Sequence, residues 1–311
     1  MTGRILYGRT PLDLIREYTA YTGRMPPMPD WVGRGAIVSV QGGTDEANKK
    51  LDTLERAGIP LAGLWIQDWP GVRITNAGKQ LWWNWELDES YYPRWDALVD
   101  RLARLGARML VYINPFLSTE AGHDSLYQQA RQAGYLVKRQ DGTPYLIRNT
   151  DFDAALVDLS NPEAGVLRNH EGLNPAISWQ VDSDAETLAH FARMSKIFRA
   201  LCFYRQGLMR QAADSGAPLV RHPFLEFPQD PNTHALRYQY LLGSDFMVAQ
   251  VVTRGAQSVR LYLPAGTWTN LWTGQPFDAG AGAWTETAAP FGKPAVLYKA
   301  GSAAANASLR P

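Results

Sequence analysis

Cysteine is almost missing from this chain of 311 residues; a single copy, Cys202, excludes an internal disulfide framework. It sits in an apolar helical stretch, which predicts a buried structural thiol rather than a nucleophile. Long apolar runs are missing as well. None approaches the ~18 residues of a membrane span, so no membrane partner is expected. The amino terminus, MTGRILYGRTPLDLIREY, lacks the apolar core of a secretory signal, which predicts a cytoplasmic location. Neither sign of charge is in excess. Lys and Arg number 31 against 30 Asp and Glu, interspersed along the chain, which excludes the basic footprint of a nucleic-acid partner. There is no Cys/His ligand spacing and no phosphate-cradling glycine loop; Gly42-Gly43 is not a dinucleotide fingerprint. No metal or organic cofactor is therefore expected.

Tryptophan is plentiful, and it is concentrated. Six of the eleven lie between Trp65 and Trp95, in LAGLWIQDWPGVRITNAGKQLWWNWELDESYYPRW from Leu61. The stretch opens with a strand-length apolar run, Leu61 to Ile66, that stops at Gln67-Asp68-Trp69. A polar loop with Trp82, Trp83, Trp85, Tyr91 and Tyr92 follows. Such rings can face sugars from a loop at a strand's carboxyl end, or can pack on one another as a satellite core.

The surrounding chain alternates strand and helix. Pro11 to Thr22 reads as a helix, Gly35 to Val40 as a buried strand, and Thr44 as the N-cap of a helix running to Ala57. After the aromatic loop, Pro93 opens a helix with Leu98 and Leu102 inward, and Arg108 to Ile113 is a third strand. Short connections of this kind imply parallel strands with right-handed crossovers. Asp124 to Ala133 is a helix; Gly134 to Arg148 alternates like a hairpin about Asp141-Gly142; Ala155 to Asp158 forms a short strand. A long helical region, Asp182 to Ala213, follows, with Asp182, Asp184 and Glu186 as its N-terminal charges.

A complete (β/α)8 barrel takes about 250 residues, and the barrel-like region here is shorter. The predicted fold class is α/β: a partial (β/α)8 TIM-type barrel over residues 1–215, then a small all-β sandwich over 216–301, then a disordered tail over 302–311. In the sandwich, strands are expected near Asp245–Val252, Ser258–Leu263, Trp268–Trp272, Trp284–Ala288 and Ala295–Lys299. A barrel left open predicts self-association through its exposed edges.

Several motifs in sequence order carry a resemblance. They are Trp65-Ile66-Gln67-Asp68-Trp69, Trp83-Asn84-Trp85, Asp158-Leu159-Ser160-Asn161-Pro162, His170-Glu171-Gly172, Trp179-Gln180 with Asp182-Ser183-Asp184, and Leu263-Pro264-Ala265-Gly266 with Leu271-Trp272-Thr273-Gly274. Together they resemble glycoside hydrolase family 31, the α-glucosidase family, and within it the bacterial sulfoquinovosidases. The resemblance implies a retaining glycosidase of carbohydrate metabolism acting on an α-glycoside, with two catalytic aspartates. It also implies that the segments bearing both aspartates are absent, because the motifs jump from Asn161–Ala164 to Arg168. No catalytic residue is then identifiable. The implied substrate contacts are Gln41, Gln67, Asp68, Trp83, Arg168 and His170. Where the resemblance implies an arginine for a sulfonate, this chain has neutral Gln80, which lacks the guanidinium fork. Each residue also has a plain structural role open to it: glutamines capping strand ends, or Asp68 bonding nearby backbone.

Overall fold

The structure is a computed structural model describing residues 5–159 and 181–302. By packing, the chain forms two compact units, Gly35–Ala192, and Met1–Arg34 together with Arg193–Pro311. Helix α1 (Pro11–Thr22) belongs to the second unit and has the predicted bounds. Thr10 and Asp13 close its amino end reciprocally, and Pro11 fills the first turn, where no N–H is needed.

The first unit begins with β1 (Ala36–Val40), α2 (Gly43–Arg56) and β2 (Leu61–Ile66). The aromatic stretch, expected as a loop, holds a small hairpin, β3 (Val72–Thr75) and β4 (Gly78–Leu81). Then come α3 (Trp95–Arg104) and β5 (Arg108–Val111). Strands β1, β2 and β5 pair in parallel in that order, as the short crossovers require. Leu51 and Leu54 of α2, Leu98 and Leu102 of α3, and Val38, Val40, Leu64 and Ile66 of the sheet make one buried core. Leu51, Leu54, Leu98 and Leu102 recur at helical spacing, so each helix turns one apolar stripe onto the strands.

Thr44 is not the N-cap. Gly42 caps α2, and the Thr44 hydroxyl donates instead to the Pro93 carbonyl at 2.7 Å. Gly42 and Gly43 both have positive φ, 115° and 89°, so the chain turns sharply enough to start the helix two residues early.

The fourth strand also departs from expectation. β6 (Phe116–Ser118), α4 (Ser125–Ala133), β7 (Leu146–Asn149) and β8 (Phe152–Leu156) follow β5, and β8 pairs antiparallel with both β6 and β7. Thr150 and Asp151 alone join β7 to β8, with Thr150 at φ 48°. So short a link can join only antiparallel strands. The segment at Ala155 is therefore not a further barrel strand, and the described residues hold three parallel strands. The Asp141-Gly142 turn forms, with Thr143 N donating to Asp141 Oδ1 at 2.9 Å. Its ladder is reduced to a bridge between Lys138 and Pro144, since proline has no N–H to extend it.

Helix α5 (Ala185–Ala200) begins in this unit. Asp184 accepts from Thr187 N at 2.7 Å as a cap, and Asp182 pairs with Lys50, so both aspartates take the structural roles expected of them. The expected helical region to Ala213 holds two helices, with Leu201 separating α5 from α6 (Cys202–Ser215).

In the second unit, α6 lies beside the short turn Asp30–Arg34, where Cys202 Sγ faces Gly33. Cys202, the first residue of α6, is half-buried rather than buried. The sandwich has β9 (Val220–Arg221), β10 (Gln239–Leu242), β11 (Phe246–Ala249), β12 (Ser258–Pro264), β13 (Thr267–Asn270), β14 (Pro276–Asp278), β15 (Gly282–Ala288) and β16 (Ala295–Lys299). Six strands order as β14-β13-β16-β11-β10-β9, and β12 pairs with β15. Leu241, Met247, Leu261, Leu263, Trp268 and Leu297 fill the space between them. The short strands β9, β10 and β14 were not foreseen, since segments of two to four residues carry too little alternation to read.

Candidate functional site

The parallel register fixes the site. Val40 of β1 lies opposite Ile66 of β2, so the next residues, Gln41 and Gln67, emerge side by side at the carboxyl edge. Gln41 Nε2 donates to Gln67 Oε1 at 2.8 Å. One step further, Gly42 N donates to Asp68 Oδ2 at 2.8 Å. The two strand ends are thus joined by successive rungs, one between amides and one from backbone to carboxylate.

Asp68 is 2% exposed. Its other oxygen accepts from the Tyr92 hydroxyl, and Tyr92 is fully buried. Burial holds the Asp68 carboxyl above its ordinary pKa, opposed by the bonds from Tyr92 and Gly42. The Tyr91 phenol is pushed up to about 12 by burial and by the charge of Asp68. Tyr92 is raised for the same two reasons.

The aromatic loop builds a second cluster. Trp69 Nε1 donates to Tyr112 O at 2.7 Å, and Trp85 Nε1 to Phe116 O at 2.9 Å. The Trp83 ring lies 5.3 Å from Phe116 and edge-on to Phe152 at 5.2 Å. Trp83 and Trp85 both sit at φ 54°, a conformation uncommon for bulky side chains that marks strain held by the surroundings. Phe152, the Arg73 guanidinium, Trp82 and His123 form a continuous stack. Arg73 Cζ is 3.3 Å from the Phe152 centroid and 4.6 Å from Trp82, and Trp82 is 3.5 Å from His123. Arg73 also pairs with Glu120. This stack was missed in the sequence; a charged residue in a short hairpin gives no signal that it will be buried.

Gln41, Gln67 and Asp68 are brought together. Trp83 stands in the aromatic cluster, reached from Asp68 through its neighbour Trp69, whose ring is 6.4 Å from Trp85. Gln80 accepts from Thr150 Oγ1 at 3.1 Å and lies opposite Arg73 across the hairpin. Arg168 and His170 lie outside the described residues. Among the described residues there is no group of three or more His, Cys, Asp or Glu able to hold a metal ion.

Residues 26–183 match the glycosyl hydrolases family 31 TIM-barrel domain, and residues 216–303 match the glycosyl hydrolase family 31 C-terminal domain. The chain is 29% identical to the sulfoquinovosidase of Escherichia coli (strain K12) over 452 aligned residues, covering 97% of this chain and 66% of the relative. It is 25% identical to the sulfoquinovosidase of Agrobacterium fabrum (strain C58) over 441, covering 93% and 66%. Its fold is similar to that of a GH31 family sulfoquinovosidase from E. rectale solved with an aza-sugar inhibitor: TM-score 0.83, 22% identity, 96% of this chain and 66% of that one. The chain thus spans slightly less than two thirds of each relative. With a barrel-domain match over half its length and a C-terminal-domain match over residues 216–303, the chain belongs to glycosyl hydrolase family 31.

Proposed function

We propose that this chain is a sugar-binding protein of the sulfoquinovosidase type that takes an α-glycoside at the carboxyl edge of β1 and β2 and does not cleave it. The observation that carries this reading is the length of the alignments. They extend over 452 and 441 residues, more than the 311 of the whole chain, so the relatives contain a long stretch with no counterpart here. The family resemblance puts that break after Asn161–Ala164, where the segments bearing the nucleophile and the acid would follow. Retaining cleavage needs two carboxyl groups about 5 Å apart, one ionised and one protonated. Asp68 is the carboxylate at the described strand edge, and both its oxygens are already engaged. What supports binding is the paired glutamine amides and the nearby indoles, groups that hydrogen-bond hydroxyls and stack on sugar faces. The test is calorimetric titration of the purified chain with methyl α-glucoside and methyl α-sulfoquinovoside. Heat of binding without release of free sugar is expected, and absence of binding to both would remove the reading.

A second reading, completion by a partner or a second copy, is favoured by the open sheet. Among the described residues β1 and β5 each have β2 as their one neighbour. Ile37 and Val111 on those outer strands are 43% and 42% exposed.

A further inference from the structure

The geometry points to Asp68 as a positioning residue, which fixes the Gln41–Gln67 amide pair by gripping the backbone of the adjacent strand end and does not itself touch a sugar. Three observations carry it. Asp68 is 2% exposed, so its carboxylate is held inside the protein. One oxygen takes the Gly42 N–H at 2.8 Å and the other takes the Tyr92 hydroxyl, so both sides of the carboxylate are occupied. Gln41 directly precedes Gly42 and Gln67 directly precedes Asp68, so the Gly42–Asp68 bond stands one residue beyond the two amides, which bond each other at 2.8 Å.

The mechanical consequence follows from the turn. Gly42 and Gly43 have positive φ and could adopt other backbone conformations freely. Without the carboxylate, the Gly42 N–H has no fixed acceptor and the end of β1 is released from β2. Tyr92 anchors the carboxylate from the other side; it is fully buried and edge-on to Trp95 of α3 at 5.6 Å. The grip therefore runs from α3 through Tyr92 and Asp68 to Gly42. It leaves Gln41 Oε1 as an acceptor and Gln67 Nε2 as a donor, held in a set relation to each other. Burying a carboxylate opposes its ionisation. That cost is understandable if the charge is there to hold the edge in register.

The role in ligand binding rests on the strand-edge sugar site proposed above; the mechanical role does not. The test uses the full chain with Asp68→Asn and Tyr92→Phe. Asparagine keeps one acceptor but replaces the other with a donor facing donors, so the grip is broken with little change in volume. The first readout is the side-chain amide resonances of Gln41 and Gln67. They are expected to be shifted and slow to exchange in the parent and to collapse toward free-glutamine values in Asp68→Asn, with a smaller change in Tyr92→Phe. The second is affinity for methyl α-glucoside, expected to fall about tenfold in Asp68→Asn, the range set by loss of hydrogen bonds to a charged group. The thermal midpoint is not expected to fall in parallel, and a residue that merely supports the fold would lower it together with affinity. Amide resonances that stay in place in Asp68→Asn overturn the inference whether or not sugar binds. If the amides are released but the parent binds no sugar, the positioning role stands and the sugar-site reading falls.

Discussion

Gln41 Nε2 donates to Gln67 Oε1 at 2.8 Å across the carboxyl ends of two parallel strands. Neither amide carries charge, and each is left with a hydrogen-bonding atom beyond the pair. A neutral donor–acceptor pair of this kind suits hydroxyl groups.

Hydrolysis is expected to be undetectable. Positioning and acid–base catalysis each contribute several orders of magnitude in rate, and the strand-edge carboxylate is committed to Gly42 and Tyr92. Release of the aryl alcohol from aryl α-glucosides and aryl α-sulfoquinovosides by the purified chain is the measurement. Turnover that Asp68→Asn or Glu171→Gln abolishes would show a working carboxyl pair and sink the expectation.

Stability should carry a pH signature of Asp68. Its folded pKa lies above the ordinary 3.8, so between those two values the folded protein binds more protons than the unfolded chain. Protonation favours the fold there, and this contribution is fully present below 3.8 and is lost as pH rises through the folded pKa. Parent and Asp68→Asn melting temperatures, measured from about pH 3 to 8, should therefore diverge as pH rises through that window, with the parent falling relative to the variant. Parallel curves across the whole range would contradict it.

Charge selectivity should be movable at Gln80. It is a neutral amide bonded to Thr150, at the position where the family resemblance implies a guanidinium. Gln80→Arg is expected to raise the ratio of methyl α-sulfoquinovoside to methyl α-glucoside affinity about tenfold, as one charge-assisted fork would. A ratio unchanged by the substitution would separate Gln80 from sulfonate recognition.

Self-association is expected for the isolated chain. Among the described residues the outer strands β1 and β5 have β2 as their one strand neighbour, with Ile37 and Val111 partly exposed on them. Sedimentation velocity should show dimers or larger species growing with concentration. A single monomeric species over the whole concentration range would count against an open edge.

Much of the fold is legible in the sequence. The helix Pro11–Thr22 and the strands Leu61–Ile66 and Ala295–Lys299 have the bounds their sequence implies. The parallel order of the first three strands follows from short connections and alternating periods. These features are local: a capping pair, an apolar stripe or a strand-length run is set by residues a few positions apart. Family membership was legible because its motifs are fixed sequence strings in a fixed order.

What the sequence could not give were facts about distant partners. Thr44 looked like a cap because Thr often is one, but Gly42 had already turned the chain, and the hydroxyl was free to reach Pro93. The segment at Ala155 reads as a short strand, and only its link through Thr150 and Asp151 decides that it pairs antiparallel. Gln41, Gln67 and Asp68 could be named from the sequence as candidate residues. Only the register of β1 on β2 decided that the glutamines would bond each other, and that the aspartate would be sealed beneath Gly42 and Tyr92. The physical reason is that burial and hydrogen-bond pairing depend on which strand end lies beside which, and that is settled by packing across the sheet.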